Sequence, residues 1–161
     1  MASTPYEAAC AAIDKANALD PRGQEGPYAQ RMVAWVRRLA PAAAEELLLA
    51  ARAQHIRRWV IPRSNFPPGR KGYLTWRETL KRFPADTVAE IMKDAGCGAP
   101  SIVTVRTLMV KKNVAGDPEG QTLEDAACLV FLEAELTPFA AKTEPDKVVD
   151  ILRKTWVKVT V

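Results

Sequence analysis

The sequence predicts an all-α protein, a compact single-domain bundle of about seven or eight helices over residues 1–161. Three observations predict it. Apolar residues recur at three- and four-residue spacing through most of the chain, the period of a helix with one buried face. Helix-start signals and strong helix formers accompany those stretches. The chain is 48% hydrophobic and 26% charged, ordinary for a protein with a core of its own. No repeat, low-complexity segment or clear linker divides it.

The first helix starts at Thr4-Pro5-Tyr6-Glu7. Thr4 suits the N-cap, Pro5 the first helical position and Glu7 the far side of a capping box. Ala9, Ile13 and Ala16, with Cys10 beside them, make its apolar stripe. Asp20-Pro21 stops it before a loop through Gly26. Tyr28, Met32, Trp35, Val36 and Leu39 carry a second helix up to Pro41. Residues 42–60 read as the most convincing helix, rich in Ala and Leu, with Glu45 and Glu46 at its N-terminal end. Leu48, Ala51, His55 and Trp59 fall on one stripe of it.

Three prolines and two glycines make residues 61–72 a surface loop. Residues 73–81 read as helix. Pro84 opens another, with Val88, Ile91 and Met92 inward, ending at Gly96. Residues 100–111 read as an apolar helix with Ile102, Val105, Leu108 and Met109, although their β-branched content also suits a strand. A loop over 113–120 precedes a strong helix over 121–135, with Leu123, Ala126, Ala127, Val130 and Phe131 inward. Pro145 starts the last helix, whose Val148, Val149, Leu152 and Trp156 are expected to face the core.

Several function classes drop out. No apolar run reaches the roughly 18–20 residues that span a bilayer. The start lacks a basic region followed by an apolar one, so a cytoplasmic protein with no membrane partner is expected. Cys10, Cys97 and Cys128 are far apart and form no CxxC pair. Cys10 and Cys128 read as core residues, and Cys97, between two glycines, as a turn residue whose thiol could be reactive. The nucleotide-loop patterns GxGxxG and GxxxxGK[ST], the HExxH zinc pattern and the GxSxG elbow are all missing.

Charge is unevenly spread. Residues 57–82 hold eight basic residues, Arg57, Arg58, Arg63, Arg70, Lys71, Arg77, Lys81 and Arg82, against one acid, Glu78. The net charge of the whole chain is only +4. Such a patch points to an anionic partner. Arginine forks suit phosphate. Arg58, Arg63, Arg70 and Lys71 are the candidate phosphate ligands, and Trp59 and Tyr73 are candidates to stack on a base. The competing reading is a solvated charged face with its tryptophans in the core. Extended nucleic-acid binding is not favoured, because no such motif accompanies the charge.

Two polar residues stand on apolar stripes. His55 is the single histidine, and periodicity alone makes it a satisfied core residue. Asp125 shares a helix face with Leu129 and Leu132 and should point partly inward. A carboxylate there needs a cation, a helix N-terminus or a metal.

Around these residues the sequence resembles domain-of-unknown-function family 4202. The matching stretches include Ile13-Asp14-Lys15-Ala16-Asn17, Gln54-His55-Ile56-Arg57-Arg58-Trp59, Gly69-Arg70-Lys71-Gly72-Tyr73 and Gln121 through Glu133. That family is in turn similar to the His–Asp (HD) metal-dependent phosphohydrolases, which are helical. The resemblance implies a divalent metal held by His55 and Asp125, and hydrolysis of a phosphate ester. The middle His-Asp pair is missing, since Phe83-Pro84-Ala85-Asp86 stands in its place. Asp86 could substitute as a metal ligand, and Glu124 could join Asp125 in catalysis. The implied function is a degenerate HD-like domain that binds a phosphate-bearing, nucleotide-like molecule, with weak or lost hydrolysis. The alternative is a non-catalytic accessory or scaffold subunit docking on protein partners.

Overall fold

The structure, a computed structural model, describes residues 1–110 and 116–160. Eight α-helices follow one another, with no strand among the described residues. They are α1 (Pro5–Asn17), α2 (Glu25–Leu39), α3 (Glu45–Arg52), α4 (Arg70–Asp94), α5 (Ala99–Val110), α6 (Pro118–Val130), α7 (Leu136–Ala141) and α8 (Pro145–Lys158). Single 3-10 turns lie at Arg58–Val60 and Arg63–Asn65, and a π-helical turn, Phe131–Glu135, joins α6 to α7. No helix among the described residues is long and apolar enough to cross a membrane.

Short α3 forms the centre of the core. Leu47, Leu49, Ala50 and Ala51 are buried on it, and Ala53 and Ile56 follow, both fully buried. Ile13 of α1, Met32 and Val36 of α2, Val88 and Met92 of α4, Val105 of α5 and Val130 of α6 close around this cluster. Polar contacts fix the orientation. Arg52 donates to both carboxylate oxygens of Asp14, at 2.7 and 2.9 Å. Asn17 donates to the Arg52 carbonyl, satisfying one orphan acceptor at the end of α3. Thr4 and Glu7 make the expected capping box on α1. Asp20 accepts from the backbone N–H groups of Arg22, Gln24 and Glu25 and so caps α2 from outside the helix.

Several expectations need correction. The helix read over 42–60 runs only from Glu45 to Arg52, and the chain continues as turn, with Arg57 in a left-handed backbone (φ 54°). His55 therefore sits in a turn and not on a helical stripe. The two helices read on either side of Pro84 are one, α4. Proline lacks the N–H that would reach the Leu80 carbonyl, but its buried ring packs in the core, and that packing offsets the lost bond. The helix over 100–111 is confirmed through Val110, and no strand forms there. Lys111 and residues 113–115 of the loop read over 113–120 lie outside the described residues, and residues 118–120 are the first turn of α6 and not loop. α8 contributes no buried residue, and Trp156 is 83% exposed instead of inward. It packs on α6 and α7 at the edge of the bundle.

The proline-rich segment is ordered by its own polar groups. Arg63 donates to the carbonyls of Phe66, Pro67 and Gly69. Trp76 on α4 donates to the Ile61 carbonyl at 2.9 Å. A Cβ on Gly72 would lie 1.8 Å from the Pro67 carbonyl oxygen, so only glycine lets the loop pass that close to α4. We expect Gly72→Ala to cost on the order of 1–3 kcal/mol, the range for overpacking. Urea unfolding of the variant measures it; an unchanged midpoint would show that the loop does not press on α4.

Candidate functional site

The turn after α3 carries three polar side chains within five residues, Gln54, His55 and Arg58, in different surroundings. Gln54 and Arg58 line a cleft of about 650 Å³. His55 is not among its lining residues and packs behind it instead.

The cleft is walled by α4, α5, α6 and the end of α8. Its cations are Arg58, Arg77, Lys81 and Lys158. Arg77 and Lys81 sit one turn apart on α4, so both face the same way. Leu80, Leu108, Met109 and Val157 supply an apolar wall. Two carboxylates also line it, and both are engaged. Asp117 caps α6 through the Gly120 N–H, and Glu124 stands 3.6 Å from Lys158 Nζ. Arg58, Arg77 and Lys81 have no ion-pair partner among the described residues. The Arg58 guanidinium is held below its ordinary range chiefly by burial, with neighbouring Arg77 adding to the effect. Its Nε is buried and without an acceptor.

Behind Arg58 lies a polar cluster. His55 stacks on Tyr28 with ring centroids 3.9 Å apart and planes 5° from parallel. Its Nδ1 is 3.4 Å from Glu25 Oε2, too long for a strong hydrogen bond. Burial lowers the His55 pKa; Glu25 opposes this and Arg58 reinforces it, so the imidazole is neutral at pH 7. Glu135, the last residue of the π-helical turn, is held above the usual carboxylate range by burial and then by Glu25. Such turns concentrate at functional sites.

Asp125 is 3% exposed and lies under the cleft rather than in it. One oxygen accepts from Gln121 Nε2 at 2.8 Å and the Thr160 N–H at 3.0 Å; the other accepts from the Thr160 hydroxyl at 2.6 Å. Gln121 also donates to the Lys158 carbonyl. This carboxylate is a latch for the C-terminal segment, whose Val157, Lys158 and Thr160 complete the cleft wall.

The sequence-derived site residues are thus dispersed. Arg58 and Glu124 share the cleft. Arg63 is spent on loop carbonyls. Arg70, Lys71 and Trp59 are not among the cleft's lining residues, and Tyr73 is exposed with its ring tilted against Trp76. Asp86 is exposed and paired to Arg106. No three His, Cys, Asp or Glu side chains among the described residues are grouped to hold a metal. With Asp125 tied to Thr160 and His55 held under Tyr28, the set His55, Asp86 and Asp125 does not fit a metal. The Cys97 thiol donates to the Pro5 carbonyl and burial raises its pKa, which disfavours a reactive thiolate. Sequence reasoning missed Gln54, Arg77, Lys81 and Lys158 as a group. The four-residue spacing of Arg77 and Lys81 was the signal available.

The family model described as "Domain of unknown function (DUF4202)" matches residues 7–161. No curated protein and no solved structure matches the chain.

Two outcomes follow from this geometry. Asp125→Ala removes three hydrogen bonds to a buried carboxylate and should destabilise by about 2–4 kcal/mol; thermal unfolding reads it, and a loss below about 0.5 kcal/mol would refute the latch. Folded His55 stays neutral, whereas the unfolded imidazole takes up a proton near pH 6.5. Its contribution to stability is therefore complete above that pH and declines as pH falls toward the depressed folded value. Denaturant midpoints at pH 7.5 and pH 5 should differ less in His55→Gln than in the parent chain.

Proposed function

The chain belongs to domain-of-unknown-function family 4202, and we propose that it binds a phosphate-bearing, nucleotide-like small molecule in the cleft between α4, α5, α6 and the C-terminal segment. One observation carries this reading: Arg58, Arg77 and Lys81 line a single cleft and none of them is ion-paired among the described residues. Holding like charges together costs free energy, and withdrawing one of them from water costs more. An anion with several oxygens offsets both costs at once. Guanidinium groups match phosphate with paired N–H donors.

The HD resemblance enters as ancestry. In this reading metal-dependent hydrolysis is weak or lost. Its support is that Asp125 is committed to Gln121 and Thr160, that Asp86 is paired to Arg106, and that Pro84 stands in the core where the pattern has a ligand. The basic loop itself contributes less than its composition suggests, since Arg63 holds the loop together.

A second reading is an accessory subunit that docks on a protein. It draws on α8, where Trp156 and Val157 are each 83% exposed on a helix with no buried residue. The cleft reading is preferred because unpaired buried charge specifies its ligand, while an apolar face does not.

Titration calorimetry with AMP and with pyrophosphate tests the proposal. Both should bind, and Arg77→Met should weaken both by about two- to fivefold, as expected for removing one solvent-exposed charge from an ion pair. Raising the salt concentration should weaken binding further. Absence of heat for both ligands at millimolar concentration would end the reading.

A further inference from the structure

Resting on the phosphate-binding reading, we propose that the anion in the cleft belongs to a single-stranded nucleic acid, whose chain continues out of the cleft along α4 and stacks a base on Tyr73. The starting point is one face of α4. Arg70, Tyr73, Leu74, Arg77 and Lys81 follow one another at three- and four-residue steps and so share that face. Its inner end, Arg77 and Lys81, lines the cleft. Its outer end lies beyond the cleft, with Arg70 exposed, Tyr73 46% exposed and Leu74 52% exposed. From Arg70 to Lys81 the helix rises about 16 Å. That is the length of about five stacked nucleotides at roughly 3.4 Å each. A mononucleotide in the cleft leaves the outer end uncovered.

Charge on this face has one sign. Arg70, Arg77 and Lys81, with Lys71 beside them, have no ion-pair partner among the described residues. The one acid of the segment, Glu78, is paired to Arg82 at 2.9 Å. A solvated helix face usually alternates its charges so that neighbours four residues apart attract. Here Arg77 and Lys81 are like charges at that spacing, which is unfavourable until an anion lies along them. Arg70 and Lys71 also open α4, whose first turn holds no acid and no capping side chain. Cations at the positive end of a helix are unfavourable, and a phosphate beside them offsets both charges. A chain of phosphates answers both ends of the face, whereas a lone phosphate answers one.

Tyr73 separates a nucleic-acid strand from a bare polyanion. Its ring tilts against Trp76, with centroids 5.9 Å apart and planes at 52°. Trp76 is itself fixed, its indole N–H donating to the Ile61 carbonyl at 2.9 Å. Gly72 seats the same turn of α4 directly against the Pro67 backbone. The tyrosine is therefore braced on one side and open on the other, so a base that stacks on it orders little that was loose before. Leu74 adds apolar surface at its side. Neither a polyphosphate nor a run of acidic side chains has a ring to place there. No nucleic-acid motif marks this stretch in the sequence; the platform arises because helical spacing sets one aromatic among cations that lead into a cleft.

The test uses the full chain and the fluorescence anisotropy of a labelled oligouridylate of about eight residues, with UMP, pyrophosphate, polyphosphate and polyglutamate as competitors. The strand should bind at least about tenfold more tightly than UMP, and pyrophosphate should displace it. Tyr73→Ala should weaken the strand about tenfold, the equivalent of about 1.4 kcal/mol for one stacked base, and leave pyrophosphate within about twofold. Retained pyrophosphate binding also shows that the variant is folded. Arg70→Gln should flatten the slope of log K against log salt by about 0.7, the loss of one phosphate contact. Suppose UMP and pyrophosphate bind but the strand gains nothing over UMP, or Tyr73→Ala leaves the strand unaffected, or polyphosphate or polyglutamate of equal charge binds as tightly. The strand reading is then wrong and phosphate binding in the cleft stands. A strand that binds and is not displaced by pyrophosphate does not enter the cleft, which also overturns the proposal. If nothing binds, both proposals fall together.

Discussion

Between Arg52 and Arg58 the chain must leave the middle of the core with Ala53 and Ile56 both sealed inside it. The residues between them, Gln54 and His55, are polar, so the segment cannot continue as a buried helix and cannot swing freely into solvent either. The solution is a tight turn with left-handed Arg57 at its end. α3 is held at its other face by Arg52 on Asp14 and by Asn17 on the Arg52 carbonyl. With α3 fixed, the turn distributes its polar groups in a set way. Gln54 and Arg58 go to the cleft, and His55 goes under Tyr28.

The cleft joins this turn to parts of the chain remote in sequence. α4 brings Arg77 and Lys81, α5 brings Leu108 and Met109, and α6 brings Gln121 and Glu124. The last wall comes from the C-terminal segment, which has no buried apolar residue to hold it and depends on Asp125 and Gln121. A buried carboxylate is an expensive way to fix a terminus unless the position of that terminus matters. Here Asp125 holds Thr160, which lines the cleft.

Residues that resemble a metal centre in one dimension have other occupations in three. Asp125 grips Thr160. Asp86 faces outward with Arg106. His55 is neutral, stacked and close to Glu25. The cleft is lined instead by arginine, lysine and glutamine side chains.

By itself the sequence determined the all-α class, the capping box on α1, the inward face of Asp125 and the concentration of cations over residues 57–82. These follow from local periodicity, cap chemistry and composition, which a linear pattern carries in full. It misread the end of α3, the continuity of α4 through Pro84 and the burial of Trp156. Each of those was settled by which neighbour was available. Pro84 found a core to pack in, and Trp156 met a bundle whose interior was already filled by six helices. The division of the basic residues was likewise a tertiary decision. Arg63 reaches the carbonyls of its own loop, whereas Arg58, Arg77 and Lys81 converge on one cleft, because burial and partner geometry depend on how the helices pack and not on the spacing of charges along the chain.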